Sequence, residues 1–186
     1  MANIEGAHFI STIMHDNFRR LEELPLVTIA MIQGMALGGG SELSAVCDFR
    51  VLTPTSKIGF VQSRMGVSPG WGGGVRLIRL VGTEEALKIL LAAKPFGLEE
   101  AKRLKIVSHV IASDLSTEDA LHKTTQWFME NYGNLPAQNS QKLKKLITAS
   151  KKLSHEEALK VEAELFCQLW GNEYHKQCLA RNIKHK

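Results

Sequence analysis

The segment Gly34-Met-Ala-Leu-Gly-Gly-Gly-Ser-Glu-Leu43 is the most informative part of the sequence, because it carries three consecutive glycines between a predicted strand and a predicted helix. Residues 26–32, before it, form a continuous run rich in β-branched side chains, which predicts a strand buried on both faces in a helix-covered parallel sheet. After the glycines the apolar spacing is helical, and residues 49–52 predict another buried strand. The order strand, glycine turn, helix, strand is a βαβ unit, so the predicted fold class is α/β.

Outward from this unit, helices alternate with short extended pieces. Apolar spacing predicts helices over residues 9–24, 75–81, 84–93 and 98–104, and extended pieces over residues 58–61 and 106–111. Beyond Ser116 glycine becomes rare, and helices are predicted over residues 117–131, 136–153 and 155–181, with a break near Gly171 and Asn172. We therefore expect an α/β core over residues 1–115 and an all-helical region over residues 116–186.

Composition narrows the class of protein. The chain has 186 residues, 44% hydrophobic and 23% charged, enough for the core of an ordinary domain. Neither a signal peptide nor a membrane span is expected, so we predict a cytosolic protein that binds no membrane. The three cysteines are widely separated and form no CxxC pair, which fits a reducing compartment. The net charge of +4 is modest and its lysine-rich stretch favours a solvated helix face, so nucleic-acid binding is not expected.

The glycine turn itself predicts an anion site. Backbone amides at a helix N-terminus point outward, the helix dipole favours negative charge, and glycine permits a ligand to approach closely. The anion would be a phosphate or an oxyanion, and the absence of GxGxxG and GxxxxGK[ST] patterns favours the oxyanion. Taken without its surroundings, the same turn would also suit tight packing.

Two longer stretches resemble a known family. The segment LPLVTIAMIQGMALGGGSELSAVCDFRVLTPTSKIGF, residues 24–60, and the segment MGVSPGWGGGVRLIRLVG, residues 65–82, closely resemble the crotonase (enoyl-CoA hydratase/isomerase) superfamily. The resemblance implies a crotonase (ClpP-like) ββα superhelix, matched by this chain over the family's later two thirds and truncated at the N-terminus. It also implies a homotrimer or homohexamer, and it implies that the preceding strands carry the second oxyanion donor and much of the adenine contact.

The same resemblance implies roles for particular residues. The amide of Gly39 would be one of two donors to a thioester oxygen, Glu42 would be the first of the hydratases' two acidic positions, and the second falls on Gln62. The predicted substrate-binding residues are Ala36, Leu37, Gly38, Pro69, Gly70 and Gly73. Coenzyme A would enter as part of the acyl-CoA substrate, with no other cofactor and no metal. Trp71 is predicted to pack in the protein rather than to stack on the adenine.

Gln62 separates the possible reactions. Adding water to a double bond calls for two carboxylates, and an amide cannot take up a proton. Losing CO₂ from an α-carboxylated thioester needs only oxyanion donors and a later proton source. The narrower likeness is to the superfamily's decarboxylases, which predicts a carbon-carbon lyase acting on ethylmalonyl-CoA or methylmalonyl-CoA. The alternatives are an enoyl-CoA hydratase/isomerase, or a truncated, inactive chain that binds CoA esters or joins oligomers.

Two side-chain roles stay open at this stage. Glu42 would relay a proton, position a water or the departing carboxylate, or stabilise the helix dipole. Gln62 would donate a hydrogen bond to the substrate carboxylate, which a glutamate there would repel.

Overall fold

The computed structural model describes residues 3–181. Short parallel strands alternate with helices in the first part of the chain, and the later part is helical. The strands are β1 (Ile29–Ile32), β2 (Met35–Leu37), β3 (Phe49–Leu52), β4 (Lys57–Gly59) and β5 (His109–Val110). The helices of the core are α1 (Ile4–Glu23), α2 (Gly39–Val46), α3 (Gly73–Val81), α4 (Thr83–Ala92) and α5 (Leu98–Arg103). The later helices are α6 (Thr117–Tyr132), α7 (Ala137–Lys152), α8 (His155–Leu169) and α9 (Glu173–Ala180), and a 3-10 turn covers Gln62–Met65.

The sheet confirms the predicted βαβ unit. β1 and β3 are parallel neighbours, with Ile29 opposite Phe49, and β5 lies on the other side of β3. α2 connects β1 to β3, as the glycine-opened helix predicts. A second pair, β2 and β4, is also parallel and places Met35 opposite Lys57. β2 was not predicted from the sequence, because its three residues pair only with a strand that lies far along the chain.

Two predicted strands are shorter than expected, because backbone groups at their ends form hydrogen bonds with side chains instead of with a neighbouring strand. The predicted strand over residues 26–32 reduces to β1, and the Asp48 carboxylate accepts the Thr28 amide at 2.9 Å just before it. The expectation of burial on both faces is wrong, since only Ile32 of β1 is buried. Likewise, the Ile106 carbonyl accepts the Arg50 Nε–H at 2.8 Å, and β5 begins only at His109.

α1 is longer than its apolar pattern predicts. It starts at Ile4 because the Asn3 side chain accepts the Gly6 amide at 2.8 Å, which satisfies an otherwise unpaired donor of the first turn. The helix ends at Glu23, just before Pro25, as predicted.

The main core lies between the sheets and helices α3 to α5. Its buried members are Ile32, Leu52, Ile58, Phe60, Leu77, Ala86, Ile89, Ala101, Leu104 and Ile106. A second cluster joins Val51 of β3 to Ala120 of α6, with Trp127 packed against it. The chain accordingly divides into two compact units, Met1–Asn134 and Leu135–Lys186. The predicted boundary after residue 115 lies one helix earlier than this division, because α6 packs on the sheet and belongs to the first unit.

The second unit contains α7, α8 and α9. Ser154 and Glu157 form a reciprocal capping box at the start of α8, with the Ser154 amide 3.0 Å from the Glu157 carboxylate. The predicted break falls at Gly171, whose φ of 71° lies in the left-handed region. Asn172 then caps α9 by accepting the His175 amide at 2.8 Å.

Candidate active site

The glycine turn is held in place by one carbonyl. Gly38 has φ 53° and ψ −115°, a conformation that a residue with a Cβ rarely adopts. Its amide donates to the Gly59 carbonyl at 2.8 Å, and the Ser41 hydroxyl donates to the same oxygen at 2.6 Å. The end of β4 therefore fixes the start of α2.

The first amides of α2 are the predicted anion donors. The first hydrogen bond of the helix runs from the Glu42 amide to the Gly38 carbonyl at 3.1 Å, so the amides of Gly39, Gly40 and Ser41 precede the helical ladder. Within residues 3–181 none of these amides has a hydrogen-bond acceptor, and no side chain caps the helix. These donors remain available for an oxyanion, although oxyanion binding at Gly39 stays a prediction.

Trp71 lies directly against Gly39. A Cβ added to Gly39 would meet Cζ3, Cη2 and Cε3 of the Trp71 ring, the farthest of them at 2.9 Å. The indole is also packed edge-on against Phe18, with ring centroids 6.1 Å apart and an interplanar angle of 79°. The structure thus gives Gly39 a packing reason to be glycine, beside the close approach of a ligand.

Glu42 is buried and its carboxylate acts only as an acceptor. Oε2 accepts the amides of Trp71 at 2.9 Å and Gly73 at 2.8 Å, and Oε1 accepts the Gln62 Nε2–H at 2.9 Å. Gly73 opens α3, so the carboxylate of α2 caps a second helix. A Cβ at Gly73 would lie within 2.7 Å of Oε2, so only glycine lets the carboxylate sit there. All three neighbours are N–H donors to this carboxylate.

Gln62 is joined to Glu42 but keeps a free oxygen. Its side chain is 6% exposed, and within the described chain Oε1 has no hydrogen-bond partner. The carboxylate of Glu42 fixes the amide, because only the NH₂ group can donate to it. The predicted contact with a substrate carboxylate stays a prediction, and it would use the second Nε2 hydrogen.

Two arginines brace the helices around the site. Arg50 is buried at the C-terminal end of α2, where it donates to the Cys47 and Ser44 carbonyls at 2.8 and 3.2 Å. Burial lowers the pKa of Arg50 from its usual range, opposed by the nearby Cys47 and Asp48. Arg76 of α3 forms an ion pair with Glu22 of α1 at 3.1 Å, with both side chains largely buried. These contacts fix α2 and α3 independently of any ligand.

Some of the predicted site residues contact one another, and others have hydrogen-bond partners within the protein. Glu42 accepts hydrogen bonds from Gln62, Gly73 and Trp71. The Trp71 ring in turn contacts Gly39. The amides of Gly38 and Gly73 already have acceptors within the protein, so neither amide is free for a substrate. Ala36 and Leu37 lie in β2, Pro69 is half-buried, and the exposed Gly70 accepts the Ser11 hydroxyl at 2.7 Å. Substrate binding by these residues stays a prediction.

The contacts of Trp71 with Gly39 and Glu42 were not predicted from the sequence. The prediction that it packs within the protein is confirmed, but its packing partner Gly39 lies 32 positions earlier, as the two residue numbers give. The Glu42 contact with its backbone was also not foreseen. No local pattern signals such contacts, because they depend on how two turns meet.

Among residues 3–181, no group of three or more His, Cys, Asp or Glu side chains is placed to hold a metal ion. Over the same range no helix combines the length and apolar character needed to cross a bilayer.

The chain is similar to known proteins in both sequence and fold. The family whose sequence model matches residues 3–183 is described as enoyl-CoA hydratase/isomerase. An ethylmalonyl-CoA decarboxylase of Xenopus tropicalis is 40% identical over 187 residues, which cover 100% of this chain and 61% of the relative. The ethylmalonyl-CoA decarboxylase of Homo sapiens is 35% identical over 180 residues, covering 97% and 58%. The chain therefore spans about three fifths of the length of these relatives.

A solved structure has the same fold. A crystal structure of an enoyl-CoA hydratase from Geobacillus kaustophilus HTA426 superposes with a TM-score of 0.85 at 25% identity, covering 96% of this chain and 66% of its own. This likeness confirms the predicted fold class.

Proposed function

Because the chain belongs to the enoyl-CoA hydratase/isomerase family, we propose that it is an acyl-CoA decarboxylase acting on ethylmalonyl-CoA or methylmalonyl-CoA. The observation that carries this choice of reaction is the contact between Glu42 and Gln62. The position of a second carboxylate holds an amide, and the remaining carboxylate accepts three hydrogen bonds. Hydration calls for two carboxylates that share the proton transfers, whereas decarboxylation does not.

The reaction begins at the free amides of α2. The bond between the α-carbon and the carboxylate breaks, CO₂ leaves, and the electron pair forms the thioester enolate. The Gly39 amide donates to the thioester oxygen as negative charge develops there, which lowers the barrier. A donor of this kind is worth about 3–4 kcal/mol in comparable oxyanion holes.

The second step adds a proton to the α-carbon. Glu42 is occupied by N–H donors on both oxygens, so it serves as a positioning residue rather than as the acid. A water molecule supplies the proton and leaves hydroxide, which balances the overall loss of CO₂. Glu42 instead holds the amides of Trp71 and Gly73, and so fixes the loop beside α2.

The names of the relatives support the same reaction, since both proteins described as ethylmalonyl-CoA decarboxylases align with nearly all of this chain. Coenzyme A is then part of the substrate, and no other cofactor enters the reaction. By the resemblance of the sequence, the working form is a homotrimer or homohexamer.

Incubation of the purified chain with ethylmalonyl-CoA and methylmalonyl-CoA tests the proposal. We expect CO₂ release with formation of butyryl-CoA and propionyl-CoA, and little hydration of crotonyl-CoA. Hydration without CO₂ release would favour the hydratase alternative. Binding of both CoA esters without either reaction would favour a CoA-ester-binding chain.

A further inference from the structure

Resting on the proposed function, we propose that Trp71 limits the size of the alkyl group on the α-carbon of the acyl-CoA substrate. The ring of Trp71 is in van der Waals contact with Gly39, the residue whose amide would hold the thioester oxygen. Trp71 would thus be a specificity-determining residue of the acyl pocket.

Simple geometry places the ring and the substrate's α-carbon near the same atom. A Cβ on Gly39 would lie about 2.5 Å from its nitrogen, and three ring carbons lie within 2.9 Å of that position. A thioester oxygen bound by the amide lies about 2.9 Å from the nitrogen, and the α-carbon is about 2.4 Å further on. Both groups therefore lie within about 5.4 Å of the Gly39 nitrogen.

The chemistry of the ring edge nearest Gly39 favours an alkyl group. The atoms nearest Gly39 are Cζ3, Cη2 and Cε3 of the benzene half of the indole, and none of them forms hydrogen bonds. A carboxylate beside this edge would lose water without gaining a donor. The alkyl substituent of the α-carbon loses no hydrogen bond there, so it is the group that the ring receives.

Contacts on both the backbone and the ring hold Trp71 in place. Its backbone amide is bound by the Glu42 carboxylate at 2.9 Å. Its indole packs edge-on against Phe18, with ring centroids 6.1 Å apart. The carbonyl of Trp71 also accepts from Arg76 at 3.4 Å. A fixed wall of this kind discriminates by size, at about 10- to 200-fold for one methylene.

The test compares CO₂ release from methylmalonyl-CoA, ethylmalonyl-CoA and n-butylmalonyl-CoA. For Trp71→Ala we expect the ratio of kcat/KM for the butyl substrate to that for the methyl substrate to rise about tenfold or more. Trp71→Phe keeps a smaller ring, so its ratio should lie between those of the unchanged chain and Trp71→Ala. These ratios do not depend on the fraction of active protein, so partial loss of folding leaves the comparison valid.

The matched control is Trp127→Ala. Trp127 contacts Phe49 and stacks on His109 at 4.8 Å, so its removal should leave the substrate ratio unchanged. An unchanged ratio in Trp71→Ala would overturn the inference while leaving the decarboxylase proposal intact.

Calorimetric titration with butyryl-CoA and hexanoyl-CoA tests Trp71 without turnover. We expect Trp71→Ala to shift the preference toward hexanoyl-CoA by about tenfold. If this shift occurs but no substrate loses CO₂, the decarboxylase proposal fails and the role of Trp71 stands. If the shift is absent, or the chain binds neither ester, the inference is wrong.

Discussion

The Trp71 ring lies against the α-carbon of Gly39 so closely that no Cβ fits between them. This contact joins the loop before α3 to the first turn of α2. A simple replacement of Gly39 therefore changes the packing against Trp71 as well as the backbone that carries the predicted donor.

Gly39→Ala should destabilise the fold through its contact with Trp71. We expect a loss of about 1–3 kcal/mol in the free energy of unfolding, as for other overpacked sites. Most of this loss should vanish in a Trp71→Ala background, giving a large coupling energy in a double-mutant cycle measured by urea unfolding. Gly40→Ala is the control, since its nearest neighbour would be Ala36 at 3.9 Å. Additive effects of the two replacements would contradict the close contact.

Removing the Gly39 amide hydrogen should abolish most decarboxylation. In the Trp71→Ala background, Gly39→Pro and Gly39→Ala both add a Cβ, but only proline lacks the N–H, and the first position of a helix tolerates proline. We expect CO₂ release from methylmalonyl-CoA to be about 10²–10³-fold slower with proline than with alanine. Equal rates for the two double variants would exclude the amide as an oxyanion donor.

Glu42→Ala should be far more damaging to stability than Glu42→Gln. Alanine leaves the amides of Trp71 and Gly73 buried without an acceptor, each at a cost of about 1–3 kcal/mol. Glutamine keeps one acceptor oxygen, and Gln62 can turn its own oxygen toward the new NH₂ group. Thermal and urea unfolding of the two variants measures the difference. A similar stability for both would mean that the carboxylate does not hold the loop.

Gln62→Glu should weaken both folding and decarboxylation. The new carboxylate would face Glu42 where the present contact is 2.9 Å, and two like charges at such a distance repel by about 6 kcal/mol at an effective dielectric constant of about 20. The destabilisation should grow as pH rises from about 5 to about 8, because the repulsion requires both carboxyls to be ionised. Gln62→Met is the uncharged control. Unchanged CO₂ release by Gln62→Glu would remove any role of Gln62 at the substrate carboxylate.

Local sequence chemistry was enough to predict where the site begins. The three glycines and Glu42 predicted the start of the helix within a βαβ unit, and α2 begins there. The break at Gly171 was predicted for the same reason, since it depends on neighbouring residues alone.

Contacts between distant residues were not predictable in this way. β2 forms only because β4 pairs with it, and the Gln62 amide is oriented by a carboxylate from another element. The strand over residues 26–32 was overestimated because Asp48 takes the Thr28 amide. These features depend on tertiary packing, which hydrophobic periodicity does not encode.

The position of Trp71 also gives the protein an optical reporter. An indole that touches Gly39 should change its emission if the proposed thioester binds the Gly39 amide, whereas Trp127 and Trp170 belong to other aromatic clusters and should supply a steady background. Tryptophan fluorescence of the unlabelled chain would therefore report the proposed binding at Gly39 without an assay of turnover.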